Sequence, residues 1–177
     1  EHDADEIRAV VLRLVRDAGR AAPGPVAAVG ITNQRETVAA IDLDSGRTLH
    51  RAIVWQCRRT TEACARLRAA GHQDLVRRRT GLVIDPYFSA TKMAWLLEHA
   101  PEVRAAADSG RLHFMTVDAL LVHTLTGGRT CATSPRFTNW DRWNPWWNSW
   151  PVGPASNSPT ATWPHCSRCR YPRREDG

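Results

Sequence analysis

The chain has 177 residues, 42% of them hydrophobic, with a formal net charge of +6 and five cysteines. That is enough chain for a domain with a sizeable core, and no apolar run approaches the length of a membrane-spanning helix, so no membrane partner is expected. The odd cysteine count argues against a disulfide framework, and the acidic, polar start Glu1-His2-Asp3 does not read as a secretory signal, so the expected location is cytoplasmic.

In chain order, Ile7, Val10, Val11, Leu14 and Val15 recur at helical spacing, with Asp3, Asp5 and Glu6 before them and Arg16 and Arg20 after. This predicts an amphipathic helix over residues 4–19 whose charges suit its macrodipole. Pro23-Gly24-Pro25 breaks the pattern. Val26 to Thr32 and Thr37 to Ile41 read as strands, and Asp44-Ser45-Gly46 supplies a turn into a return strand reaching Trp55. Residues 57–70 read as a helix stopped at Gly71, and Asp74 to Arg79 as a short basic helix closed by Gly81. Leu82-Val83-Ile84 is a strand-like run halted by Asp85-Pro86. Ser89 is placed to cap a helix through His99, and Pro101 to begin the next. Leu112 to Val117 reads as a strand, followed by an apolar helix from Asp118 to Leu125 that ends at Gly127-Gly128. Strands and helices interleave, so the fold class is α/β.

The last part is unlike the rest. Residues 135–177 hold six of the eight tryptophans, Trp140, Trp143, Trp146, Trp147, Trp150 and Trp163, and carry a net charge of +3, leaving +3 for the first 134 residues. The positive charge therefore does not make residues 1–134 a nucleic-acid binder. The prolines at 145, 151, 154, 159, 164 and 172 argue against regular structure in the tail, and the expectation there is disorder. A basic, tryptophan-rich tail could stack on single-stranded nucleic acid. His165, Cys166 and Cys169 could begin a zinc site, but no second cysteine pair follows at ligand spacing. These form the alternative reading, a nucleic-acid or zinc-binding module.

For a site, the densest chemistry is Asn33-Gln34-Arg35-Glu36, four polar residues between apolar runs. Arg35 offers a planar fork of donors and Glu36 a pair of acceptor oxygens, which together could grip a molecule with several hydroxyls. Chemistry alone leaves open an ordinary turn whose charges are solvated or paired with each other. Tyr87 could close an aromatic ring over a ligand or simply bury it, and Trp55 could form an apolar wall or pack in the core. Arg77, Arg78 and Arg79 read as a solvated face. Asp42, Asp44 and Asp118 sit at element boundaries where turn and capping roles dominate, so no catalytic or metal-ligating residue is assigned. No glycine-rich phosphate loop is written in the chain.

Several ordered segments together resemble the glycerol kinases of the FGGY carbohydrate kinase family. They are Ile31-Thr32-Asn33-Gln34-Arg35-Glu36-Thr37, then Ala52 to Thr60 through Trp55-Gln56-Cys57-Arg58-Arg59, then Thr80 to Ser89, and Tyr87 to His99, which is similar to a signature of that family. The resemblance runs to about Ser134. It implies an actin-like, ribonuclease-H-like fold and transfer of the γ-phosphoryl group of ATP, with Mg2+, to a terminal hydroxyl of glycerol. By the same resemblance Arg35 and Glu36 bind glycerol hydroxyls, Tyr87 contacts the same ligand, Trp55 lines its apolar side, and assembly into homo-oligomers is expected. The family's phosphate-handling strand and turn, catalytic aspartate and nucleotide-binding domain have no counterpart in these residues. The expectation is thus an incomplete substrate-binding domain over residues 1–134, without kinase activity by itself, followed by an unrelated tail over 135–177 that reads as an out-of-frame translation.

Overall fold

The computed structural model describes residues 1–128. The zinc, nucleic-acid and disorder expectations for residues 135–177 lie outside the described residues. Within them the order is α1 (Ala4–Ala21), β1 (Val38–Asp42), β2 (Thr48–Ile53), α2 (Thr61–Ala69), α3 (Gln73–Thr80), α4 (Ser89–His99), α5 (Pro101–Asp108), β3 (Leu112–Thr116) and α6 (Val117–Leu125). No helix among the described residues is long and apolar enough to cross a membrane.

The core is built on β1. It is the middle strand of a sheet ordered β2-β1-β3, antiparallel to both neighbours. All five of its residues are buried, which is why the first four, Val38 to Ile41, are a continuous apolar run instead of an alternation of apolar and polar. The alternation of side chains along the strand sorts that run onto two faces. Val38 and Ala40 pack with Ile53, Leu96, Val103 and Phe114 on the side of α4 and α5. Ala39 and Ile41 pack with Ala4, Ala52, Met115 and Leu120 on the side of α1 and α6. Ile41, Ile53, Leu96, Leu112 and Leu120 are each at most 1% exposed, and each contributes about 1.5–3 kcal/mol by leaving water.

Local chemistry sets the ends of these elements. Asp3 caps α1, its Oδ1 accepting the N–H groups of Asp5 and Glu6 at 3.0 Å each. Gly81 ends α3 in the left-handed conformation at φ 74°, its N–H donating to the Arg77 carbonyl. Asp42 organises the β1–β2 turn. Its Oδ1 accepts the N–H groups of Asp44 and Ser45, and its Oδ2 pairs with Arg111 at 2.5 Å, tying the turn to the start of β3.

Four sequence-based expectations are corrected. Val26 to Thr32 forms no strand, and Val26 and Val29 are each 56% exposed. A strand needs a ladder partner, and residues 26–32 find none: they pair neither with β1, whose two edges are taken, nor with β2, whose outer edge is bridged by His2 through paired bonds to Ala52, nor with the outer edge of β3. Leu82 and Val83 likewise lie in an exposed connection, with only Ile84 buried. The helix expected from residue 57 begins at Thr61, because residues 55–60 make two turns closed by Cys57 N–H to Val54 O and Thr61 N–H to Arg58 O. Ser89 is the first residue of α4 and not its cap. Phe88 holds the cap position, and the Ser89 side chain is turned to another task.

Candidate functional site

Asn33 to Thr37 fold into a tight turn, with Thr37 N–H donating to the Gln34 carbonyl at 3.4 Å and Thr37 Oγ1 donating to Gln34 Oε1 at 2.8 Å. The third position of that turn is Glu36, whose φ of +63° makes it the one non-glycine residue in the left-handed region among the described residues. Turns of this geometry favour glycine there, and a side chain at such a φ costs about 1–2 kcal/mol. Strong contacts offset that cost.

Those contacts come from α4. Glu36 Oε2 accepts both the backbone N–H and the hydroxyl of Ser89, each at 2.7 Å. A carboxylate therefore sits at the N-terminus of α4, where the first N–H groups have no partner inside the helix and the macrodipole favours negative charge. Phe88 gives the helix no side-chain cap, so Glu36 performs that service from 53 residues away. The Glu36 carbonyl is held too, by Lys92 Nζ at 3.0 Å. Its second carboxylate oxygen, Oε1, takes no hydrogen bond among the described residues.

Arg35, next in the chain, is exposed and forms no ion pair among the described residues, so pairing between Arg35 and Glu36 does not occupy either charge. Tyr87 and Trp55 meet edge to face, with ring centroids 6.0 Å apart at 67°. Tyr87 is half-buried against Phe88, while Trp55 is 38% exposed, too open for the core-packing alternative. The backbone fixes both rings. Trp55 N–H donates to Thr37 Oγ1 at 3.2 Å, and Tyr87 N–H donates to Asp85 Oδ1 at 2.8 Å in a turn stiffened by Pro86. Glu36, Tyr87 and Trp55 are thus brought together around the start of α4, with Arg35 beside Glu36.

Lys92 was not singled out from sequence. It is a fully buried lysine, its ammonium donating to the carbonyls of Glu36 and Tyr87 and lying 5.9 Å from the Tyr87 ring centre. Burial pushes its pKa down, and the nearby Glu36 charge opposes that shift. A signal existed: Lys92 lies four residues before buried Leu96, on the apolar stripe of α4. Asn33 also acts at a distance, its Oδ1 accepting the N–H of Asp118 at 3.3 Å at the start of α6. Among the described residues no group of three or more His, Cys, Asp or Glu side chains could hold a metal ion.

Residues 1–136 match the model of the N-terminal domain of the FGGY family of carbohydrate kinases. The chain is 54% identical over 136 residues to a glycerol kinase of Xanthobacter autotrophicus, covering 75% of this chain and 27% of the relative. It is 53% identical over 138 residues to glycerol kinase 1 of Pseudomonas aeruginosa, covering 75% of this chain and 28% of the relative. The crystal structure of Plasmodium falciparum glycerol kinase with ADP superposes with a TM-score of 0.64 at 30% identity, covering 72% of this chain and 26% of that one. The chain thus spans about a quarter of the length of the relatives it matches. Its layered helices and small sheet are those of the actin-like, ribonuclease-H-like N-terminal domain. These similarities give the nucleic-acid reading no support.

Proposed function

The chain belongs to the FGGY family of carbohydrate kinases, and from that membership we propose that residues 1–134 are the polyol-holding part of a glycerol kinase, with Arg35, Glu36, Tyr87 and Trp55 as the glycerol contacts. One observation carries the reading. Glu36 is anchored through Oε2 and its carbonyl while Oε1 takes no hydrogen bond among the described residues; its chain neighbour Arg35 forms no ion pair among those residues, and half-buried Tyr87 meets exposed Trp55 edge to face beside the start of α4. Acceptor, donor and apolar wall are what a small triol presents in mirror image: hydroxyl protons for Glu36, hydroxyl oxygens for Arg35, and a carbon face for Trp55 and Tyr87.

In phosphoryl transfer the acceptor hydroxyl must be held in line with the transferred group, the phosphate charge neutralised, and the hydroxyl proton received. The proposed site performs the first task. A carboxylate fixed by two short bonds to a helix N-terminus holds one hydroxyl with little freedom, and Arg35 orients a neighbouring one. ATP and Mg2+ are the family's phosphoryl donor and its counter-ion. The described residues offer no metal-ligating cluster for them, and the chain contains no glycine-rich phosphate loop, so the proposed site holds the acceptor and not the phosphoryl donor. Cytoplasmic location, homo-oligomeric assembly and a separate tail over residues 135–177 belong to the same proposal.

The test is calorimetric titration of the 177-residue chain with glycerol, alongside a coupled assay for ATP turnover. Saturable glycerol binding that Arg35→Ala weakens at least tenfold, without ATP turnover, is expected. Turnover by the chain, or glycerol binding indifferent to Arg35, would overturn the assignment.

A further inference from the structure

The site contains a buried charge whose presence stability alone does not explain. Lys92 is 0% exposed, and removing an ammonium from water costs several kcal/mol that partners must offset. A well-packed apolar side chain of similar volume would fill the same space at no such cost. Its partners are the carbonyls of two residues that flank the proposed glycerol site, Glu36 and Tyr87, and that lie 56 and 5 residues away in sequence. One nitrogen therefore sets the separation between the backbone carrying the carboxylate and the backbone carrying the aromatic wall. Ser89 stands three residues before Lys92, on the same side of α4, and binds the opposite end of Glu36 through its carboxylate. The left-handed turn is thus gripped at carbonyl and carboxylate by one helix face.

We propose that Lys92 is a positioning residue of the polyol site: by tying the Glu36 and Tyr87 carbonyls together, it fixes the spacing between carboxylate and aromatic wall on which selection of a triol over a diol depends. The proposal rests on the glycerol reading above. Lys92 itself does not touch the ligand. Its role is exerted through Glu36 and Tyr87, so it should govern discrimination more than fold.

Three readouts on the full chain separate these possibilities. Lys92→Met keeps the packing stem and removes the donors, while Lys92→Arg keeps charge and donors on a longer side chain. The chain has two tyrosines, Tyr87 and Tyr171, so 3-fluorotyrosine labelling gives two 19F signals, and Tyr171→Phe assigns them. In Lys92→Met we expect at least tenfold weaker glycerol binding, a preference for glycerol over 1,2-propanediol that falls toward unity, and a shifted or broadened Tyr87 signal without ligand. Lys92→Arg is expected to regain part of the preference. Unchanged preference, equal losses for both ligands with an unmoved Tyr87 signal, or no rescue by Lys92→Arg overturns the proposal. Should Lys92→Met not fold, Lys92→Gln, which keeps an amide donor on a shorter side chain that cannot span both carbonyls, takes its place, and an undiminished preference with an unmoved Tyr87 signal in that variant overturns the proposal. If the unmodified chain does not bind glycerol, the glycerol reading fails, while an unmoved Tyr87 signal in Lys92→Met separately refutes the tie.

Discussion

The left-handed backbone at Glu36 makes a prediction that runs against ordinary expectation. Glycine normally destabilises a position relative to alanine by about 0.4–1 kcal/mol, because the unfolded chain gains freedom. At a φ of +63° the order should reverse. Glu36→Ala and Glu36→Gly both lose the two Ser89 bonds to Oε2, each worth about 1.5–3 kcal/mol for a charged acceptor. Both variants therefore fall well below the parent chain, and the difference between them isolates the backbone. Alanine retains the left-handed penalty of about 1–2 kcal/mol, whereas glycine is released from it. After subtracting the entropic term, Glu36→Gly should be more stable than Glu36→Ala by about 0.5–1 kcal/mol. Urea unfolding followed by far-ultraviolet circular dichroism reads this as a midpoint difference of roughly 0.3–0.5 M, taking a slope of about 2 kcal/mol/M. Equal midpoints, or a more stable alanine variant, would refute the claim that the turn is strained and held by α4.

Other outcomes follow from the same geometry. The Ser45 N–H bond, with Arg111 and Asp44 assisting against burial, holds the Asp42 carboxyl below its ordinary value of 3.8. A carboxylate with a depressed folded pKa stabilises the fold above its unfolded pKa, and that contribution is lost as pH falls through the folded value, so it should fade below about pH 5. Asp42→Asn should accordingly be less stable at neutral pH and show a flatter decline in urea midpoint between about pH 5 and pH 3; parallel curves for parent and variant would contradict the assignment. Leu96→Ala, at a site 1% exposed between β1 and α4, should cost about 2–5 kcal/mol in the same unfolding experiment, and a loss under 1 kcal/mol would place Leu96 outside the core. Arg35→Ala should leave the unfolding free energy within about 0.5 kcal/mol of the parent, as an exposed side chain without an ion pair among the described residues requires, and a larger loss would mean that Arg35 supports the fold.

Much of this fold could be read from sequence because its signals are local. The apolar run Val38 to Ile41 needs two covered faces, and it has them. Gly81 and Gly127 stop α3 and α6 with positive φ, as glycine after a helical pattern should. The strand read at Val26 to Thr32 failed because composition gives propensity for extension and not a partner to extend against. The site divides the same way. Arg35 and Glu36 stand out as adjacent opposite charges between apolar runs, but the left-handed turn does not, since nothing in Gln34-Arg35-Glu36-Thr37 asks for positive φ. What imposes it lies 53 and 56 residues further on, at Ser89 and Lys92. Ser89 reads as an ordinary cap and Lys92 as an ordinary helix residue until the tertiary contacts are seen, and only the position of Lys92 on the Leu96 stripe hints otherwise.

The most direct measurement is an amide 1H–15N spectrum of the 177-residue chain during titration with glycerol. The account expects saturable shifts confined to Asn33–Thr37, Trp55 and Tyr87–Lys92, with those at Arg35 and Glu36 among the largest. Shifts that never saturate, or that cluster away from the start of α4, would contradict it.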